Sequence, residues 1–360
     1  MISGDFVRRP GLFSYDALKC LRNAYRFNSC SLCIDICPEN AFHIAQNKLV
    51  LSDDSCIDCA ACIGSCPTEA LAFDGFDPNV YAVRFKESEE EKVSCKKGIP
   101  CLGVFDVHHY VVMALYSPET PVCDMAYCSG CRLNGKGTVE SAIRKRISIA
   151  NDFLASVGSE KSIGTNEEEQ RPNGRRELFR KVFDAAADSF AADIDAAAAA
   201  IMDVKHVDIN TPLKLLLLKS AVKESLGSFK STLLKDGGGL FFNKAISFEA
   251  CSNCGDCIRF CPTKALTATS DSQGILFTQA KCIGCGICDH VCKADAIGGK
   301  EDFDLTKIAY SQTRKLVYYE MAVCSECHCP YHYKGGETIC ERCAGFKVEF
   351  GDMFVLAKDM

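Results

Sequence analysis

Eight cysteines, Cys251, Cys254, Cys257, Cys261 and Cys282, Cys285, Cys288, Cys292, spell CxxCxxCxxxC twice. A thiolate is a soft anionic ligand for iron, and two-residue gaps let three sulfurs of one tight loop surround three corners of an iron–sulfur cube. The frame recurs earlier. It is complete in Cys56, Cys59, Cys62 and Cys66, and lacks its first position in Cys30, Cys33 and Cys37, where that position holds Phe27. Each run continues with a small and then an apolar residue, as Ala41-Phe42, Ala70-Leu71, Ala265-Leu266 and Ala296-Ile297. Such spacing speaks for metal ligation and against a disulfide framework.

Residues 20 to 75 and 245 to 300 accordingly resemble bacterial-type 4Fe-4S dicluster ferredoxin domains. In those domains the last cysteine of each run crosses to the other cluster. The resemblance implies one cluster on Cys251, Cys254, Cys257 and Cys292, and its neighbour on Cys282, Cys285, Cys288 and Cys261. In the first domain it implies a cluster on Cys56, Cys59, Cys62 and Cys37. For the remaining one, Cys20 is the preferred fourth ligand beside Cys30, Cys33 and Cys66. The alternative is a buried thiol at Cys20 and a three-iron species or a non-cysteine ligand. Four 4Fe-4S clusters are thus expected.

Five more cysteines fall between residues 80 and 135. A short strand near Val93, a helix from Val104 to Tyr116 and a strand from Thr120 to Tyr127 read as a strand–helix–strand unit with parallel strands. Cys95 with Cys101, and Cys128 with Cys131, then follow the carboxyl ends of those strands, the edge of an open sheet where ligands gather. The four are candidates for one metal centre, with Cys123 a packing residue and His108 and His109 ordinary helix residues. This part is distantly similar to the delta subunit found with methyl-viologen-reducing hydrogenases and heterodisulfide reductases, which implies a fifth, 2Fe-2S centre. Zinc and free or redox-active thiols remain open here.

From Lys136 to about Asn243 cysteine vanishes. Gly158 to Gly174 reads as an exposed hinge. Leu178, Phe179, Val182, Phe183 and Ala186 recur on one helical face, followed by Ala196 to Ala200. Thr211-Pro212 starts another helix with Leu213, Leu216, Leu217, Ala221 and Leu226 inward. These faces would pack on the chain's own ferredoxin domains or dock another subunit. Near the end, Cys324, Cys327 and Cys340, Cys343 form two CxxC pairs separated by twelve residues, as in a zinc ribbon. Structural zinc is expected there, with His328, Cys329 and His332 near enough to exchange for one ligand.

The fold class expected is α+β: a dicluster ferredoxin domain over 1–79, a thiol-rich α/β unit over 80–135, a helical linker over 136–243, a second dicluster domain over 244–310 and a zinc-ribbon-like segment over 311–360. The 360 residues include 26 cysteines and carry a formal charge of −6, which speaks against a nucleic-acid partner. No apolar stretch approaches the roughly 20 residues of a membrane span. The first residues lack the apolar core of a signal peptide, and Arg175-Arg176 lies mid-chain, so the expected compartment is the cytoplasm. No Walker A loop, dinucleotide turn or nucleophile elbow accompanies the cysteines. The architecture looks like polyferredoxin-type proteins that accompany molybdenum or tungsten oxidoreductases, hydrogenases and heterodisulfide-reductase-like complexes. That likeness implies a non-catalytic electron-transfer subunit, with redox subunits as donor and acceptor in a hetero-oligomeric complex. The alternative is an assembly or maturation factor for such an enzyme.

Overall fold

The computed structural model describes residues 13–26, 28–86, 91–135, 137–167, 208 and 210–351. The expected helical faces between Leu178 and Ala200 lie outside them. The chain mixes helices and strands in two compact units, one formed by 1–243, 279–285 and 301–312, the other by 244–278, 286–300 and 313–360.

In the first unit the strand Phe13–Tyr15 pairs antiparallel with Leu71–Phe73, and Phe42–Ala45 forms a hairpin with Lys48–Leu51. Gln46 and Asn47 at the hairpin tip both take positive φ, the geometry that a tight two-residue connection requires. The cysteine runs sit between these strands on the short helices Leu32–Asp35 and Ala61–Ser65.

A parallel sheet follows, ordered Lys92–Val93, Val122–Asp124, Gly164–Asn166. Its first crossover is the helix Val107–Tyr116 and its second the helix Thr138–Ser156. Two expectations change here. The first crossover helix begins at Val107, because Asp106 caps it: the Asp106 carboxylate accepts from the Val107 amide, while the Asp106 amide donates to His109 Nδ1 at 2.9 Å. And the stretch read as an exposed hinge holds the third strand, so the α/β unit runs on past residue 135 to Asn166. Gly164 is suited to that edge, since a Cβ there would lie 3.3 Å from a Val122 methyl.

The helix Leu213–Ser225 packs on Val107–Tyr116. Leu213, Leu216, Leu217 and Ala221 are buried as read, but so are Leu215, Leu218 and Lys214, while Leu226 is half-buried at the C-cap. Its apolar surface is therefore covered by its own chain. One continuous core runs from Phe13 through Phe105, Tyr110, Phe153 and Leu218 to Ile308.

The second unit repeats the first pattern. Lys244–Ile246 pairs antiparallel with Ile297–Gly299, and Leu266–Ala268 with Gly274–Thr278; Thr313–Tyr318 adds a third strand beside the latter. Its cysteine helices are Asp256–Arg259 and Ile287–Val291. The antiparallel hairpin Glu320–Val323 with Pro330–Tyr333 and the helix Glu341–Phe350 end the described chain. Among the described residues no helix is long and apolar enough to cross a membrane.

Candidate iron–sulfur and metal centres

The repeated alanine has a structural purpose. Three residues after the last cysteine of each run, Asn40, Glu69, Lys264 and Asp295 all take positive φ between 48° and 54°. Each thereby closes a turn onto the carbonyl of Cys37, Cys66, Cys261 or Cys292. The next residue is a buried alanine in every case, and the amides of Ala41, Ala70 and Ala296 donate to the sulfurs of Cys37, Cys66 and Cys292 at 3.2 Å. An N–H aimed at a sulfur stabilises it as thiolate and disperses negative charge on a cluster.

The loops between cysteines repeat as well. Asp58 and Ala60, Asn253 and Gly255, and Gly284 and Gly286 form left-handed pairs at matching positions, and the second of each pair caps the following short helix. At Gly284 a Cβ would fall 2.5 Å from the Phe242 ring, so a side chain there would have to displace that ring as well as adopt a positive φ. The run that lacks its first cysteine departs here too: Ser31, in the capping position, has φ −130°.

Thiol neighbourhoods follow from mutual electrostatics. Burial and then Cys66, Cys30 and Cys20 push the Cys33 thiol up to about 12. Burial raises Cys30 too, with Cys66 and Cys20 adding to it. Tyr15, raised by burial and by its hydrogen bond to Cys20, faces Cys20, Cys33 and Cys66, and its hydroxyl accepts from Asn23 Nδ2 at 2.8 Å. Cys20, Cys30, Cys33 and Cys66 are thus brought together. Burial also raises Cys59 and Cys62; Cys37 and Cys56 add to both, and Cys33 adds to Cys62. In the second unit Cys257 is pushed up to about 12 by burial and then by Cys251, Cys254 and Cys292. A buried neutral thiol must lose its proton to bind iron, so loading these sites releases protons.

In the α/β unit Cys95 follows the strand Lys92–Val93, and Cys128 and Cys131 follow Val122–Asp124. Asn134 staples the second loop: its Nδ2 donates to the Cys128 carbonyl at 2.8 Å and its Oδ1 accepts from the Glu140 amide at 2.8 Å. Burial pushes Cys101 up to about 12 against the Gly103 amide that its sulfur accepts, with Cys59, Cys128 and Cys95 adding to the rise. Cys128 rises to about 11 through burial, then Glu140, Cys95 and Cys131. All four thiols therefore share one neighbourhood. Cys123 is wholly buried in its strand, and His109 is buried with its Nε2 3.2 Å from Asn79 Oδ1.

The ligand atoms of Cys324, Cys327, Cys340 and Cys343 all lie within 4.8 Å of one another. The Cys327 and Cys340 sulfurs are 3.7 Å apart, close to the edge of a tetrahedron with bonds of about 2.3 Å, the length of a zinc–sulfur bond. Amides of Cys327 and Cys340 bring the Cys324 thiol down to about 6. The donor set fits one tetrahedral ion. His332 points elsewhere, its Nε2 3.1 Å from Asn253 Nδ2, and Cys329 is exposed with its thiol toward the Cys327 carbonyl.

These features define a ferredoxin-type iron–sulfur part of the chain. Residues 250–297 match the 4Fe-4S dicluster domain family. The chain is similar to a ferredoxin of Rickettsia felis (33% identity over 17% of this chain and 55% of the relative), to one of Streptomyces griseus (29% over 23% and 81%) and to ferredoxin-1 of Caulobacter vibrioides (40% over 12% and 40%). It thus spans about half the length of the first and third of these relatives. The likenesses support electron transfer as the function of the ferredoxin-like part.

Proposed function

We propose that the protein is a multi-centre electron relay that passes low-potential electrons between donor and acceptor subunits of an oxidoreductase complex in the cytoplasm. The observation that carries this reading is the succession of thiol groups. Cys33 of the first set lies near enough to Cys62 of the second to raise its thiol, and Cys59 of the second does the same to Cys101 of the α/β group. The ligand sets are Cys20, Cys30, Cys33, Cys66; Cys37, Cys56, Cys59, Cys62; Cys251, Cys254, Cys257, Cys292; and Cys261, Cys282, Cys285, Cys288, the last resting on the cysteine frame and the left-handed pair Gly284 and Gly286. The group Cys95, Cys101, Cys128, Cys131 holds a 2Fe-2S centre, and Cys324, Cys327, Cys340, Cys343 hold structural zinc. The protein's contribution is to fix the spacing and, through burial and N–H bonds to sulfur, the potentials.

Anaerobic purification with metal and sulfide counting tests this. About sixteen irons match four cubanes, about eighteen add the binuclear centre, and one zinc completes the account. Colourless, iron-poor protein would refute it. A second reading, an assembly factor for such an enzyme, draws on the exposed apolar residues Met321, Val323, Phe346 and Val348 around the terminal cysteines. Stable stoichiometric co-purification with a redox enzyme favours the relay; transient binding to an apo-enzyme favours assembly.

A further inference from the structure

The α/β thiol group has an inner and an outer end. Cys101 is its inner member, half-buried and bonded to the Gly103 amide. Gly103 lies against Ala61, to whose Cβ a Cβ on Gly103 would approach within 3.1 Å. The Ala61 backbone in turn lowers the Cys59 thiol, two residues before it, against the rise that burial causes. The residue two places on from Cys101 thus touches the residue two places on from Cys59. Arg146 clasps the crossing, donating from Nη1 to the carbonyls of Gly103 at 2.8 Å and Phe105 at 2.9 Å, and from Nη2 to Ser65 Oγ at 2.5 Å. At the other end Cys131 is exposed.

The charge around the outer end is distinctive. Lys96 and Lys97 follow Cys95 and Arg132 follows Cys131, all three exposed. Among the described residues nearby, three acids have partners of their own. Asp124 is buried and paired with Lys92 at 3.1 Å, and Glu140 and Glu167 both bind Arg144. The other strongly exposed cysteine of a ferredoxin loop, Cys254, has mixed surroundings in Glu249, Asp256 and Arg259. On a chain of formal charge −6, a cationic rim at a solvent-facing thiol group selects a partner of opposite sign.

We infer that the α/β unit is the relay's port for an acidic one-electron carrier protein, which docks on Lys96, Lys97 and Arg132 over Cys131. The inference rests on the relay reading above and adds where the electron enters and what brings it. The carrier is oxidised by one electron and the centre reduced by one; the electron then passes by way of Cys101, Gly103, Ala61 and Cys59 to the cluster of Cys37, Cys56, Cys59 and Cys62. No bond is made or broken and no proton is required.

Stopped-flow mixing of the anaerobically purified full chain with a reduced acidic two-cluster ferredoxin tests the port. The second-order rate should fall steeply as salt is raised. The variant Lys96→Glu/Lys97→Glu/Arg132→Glu should lower it roughly tenfold or more at low salt. Reduction by methyl viologen radical cation should instead quicken in that variant, because the rim no longer repels it. A ferredoxin rate indifferent to charge reversal, in protein of unchanged iron content, would overturn the port. If the variant loses iron, the wild-type salt profile decides, and a flat profile overturns the port. Wild-type protein without iron would overturn the relay reading itself.

Discussion

Lys214 Nζ donates to the carbonyl of Cys66 at 2.7 Å from a side chain only 3% exposed. Its second partner is the Asp106 carboxylate, which the neighbouring cation holds well below the usual carboxylate range despite burial. Glu69, three residues beyond Cys66, accepts from the amides of Leu213 at 2.5 Å and Lys214 at 3.2 Å. One cysteine turn thus anchors the start of the helix Leu213–Ser225 at three points. Removing one member of a buried ion pair leaves the other uncompensated. Lys214→Met should cost about 3–5 kcal/mol, read as a lower denaturant midpoint by circular dichroism. The double variant Lys214→Met/Asp106→Asn should recover part of that loss. An unmoved midpoint in the single variant would exclude the pair as a stabilising element.

His109 sets an acid limit on the same region. Burial, and then the Lys214 cation, hold its imidazole near pKa 3 against the opposing pull of Asp106, where a free side chain has 6.5, and protonation would also forfeit the bond that Nδ1 accepts from the Asp106 amide. A depressed histidine pKa gives stability that is whole above 6.5 and declines as pH falls from 6.5 toward 3, by about 1.4 kcal/mol per unit. Asp106, also depressed, adds a further loss only below the ordinary carboxylate range. His109→Asn keeps an acceptor for the Asp106 amide without a titrating ring. Its stability should change less between pH 6 and 4 than the parent's; equal slopes in denaturant titrations would defeat the idea.

The legible features were local ones. Ligand spacing, the alanine after each run and the turn before it lie within a few residues, so the sequence carries them whole. The absence of a cysteine at Phe27 likewise announced the loop that departs from the others at Ser31. The strand Gly164–Asn166 was illegible because Gly-Thr-Asn has no apolar alternation, and only the edge of Val122–Asp124 makes it a strand. Lys214 read as a polar flank of a leucine run; its burial depends on Asp106, 108 residues away in the chain. That Cys101 adjoins Cys59 depended on the glycine crossing, which no spacing rule encodes.

The terminal cysteines should influence a ferredoxin loop of their own unit. Tyr319, fully buried just before the hairpin that leads to Cys324, stacks on Phe248 at 4.7 Å, and its one hydroxyl proton is shared between the carbonyls of Phe248 at 2.9 Å and Cys251 at 3.1 Å. His332 in the hairpin meets Asn253, whose amide donates to the Cys251 sulfur at 3.3 Å. Cys340→Ser/Cys343→Ser should remove one zinc per chain and leave iron near its parent value. It should hasten bleaching in air of the cluster proposed for Cys251, Cys254, Cys257 and Cys292, followed by its paramagnetic signal. Identical bleaching rates would make the terminal knot independent of the cluster loop.

Gly64 marks a tight crossing between the first ferredoxin loops and the α/β unit. A Cβ there would lie 2.6 Å from the Gly103 carbonyl oxygen, 2.8 Å from that of Phe105 and 2.8 Å from Arg146 Nη1. Two of these are backbone atoms, so neither can swing aside as a side-chain tip would. Gly64→Ala must then push the helix Ala61–Ser65 away from Leu102–Val104, at about 1–3 kcal/mol for overpacking. Because Cys62, of the set with Cys59, lies two residues before Gly64 while Cys101 precedes the opposing turn, the same displacement widens the gap between those two thiol groups. In reduced protein the variant should show weaker magnetic interaction between those two centres, with the iron content held. Unaltered line shapes together with an unaltered unfolding midpoint would mean that the crossing tolerates a methyl group, and that neither stability nor the spacing of the centres depends on it.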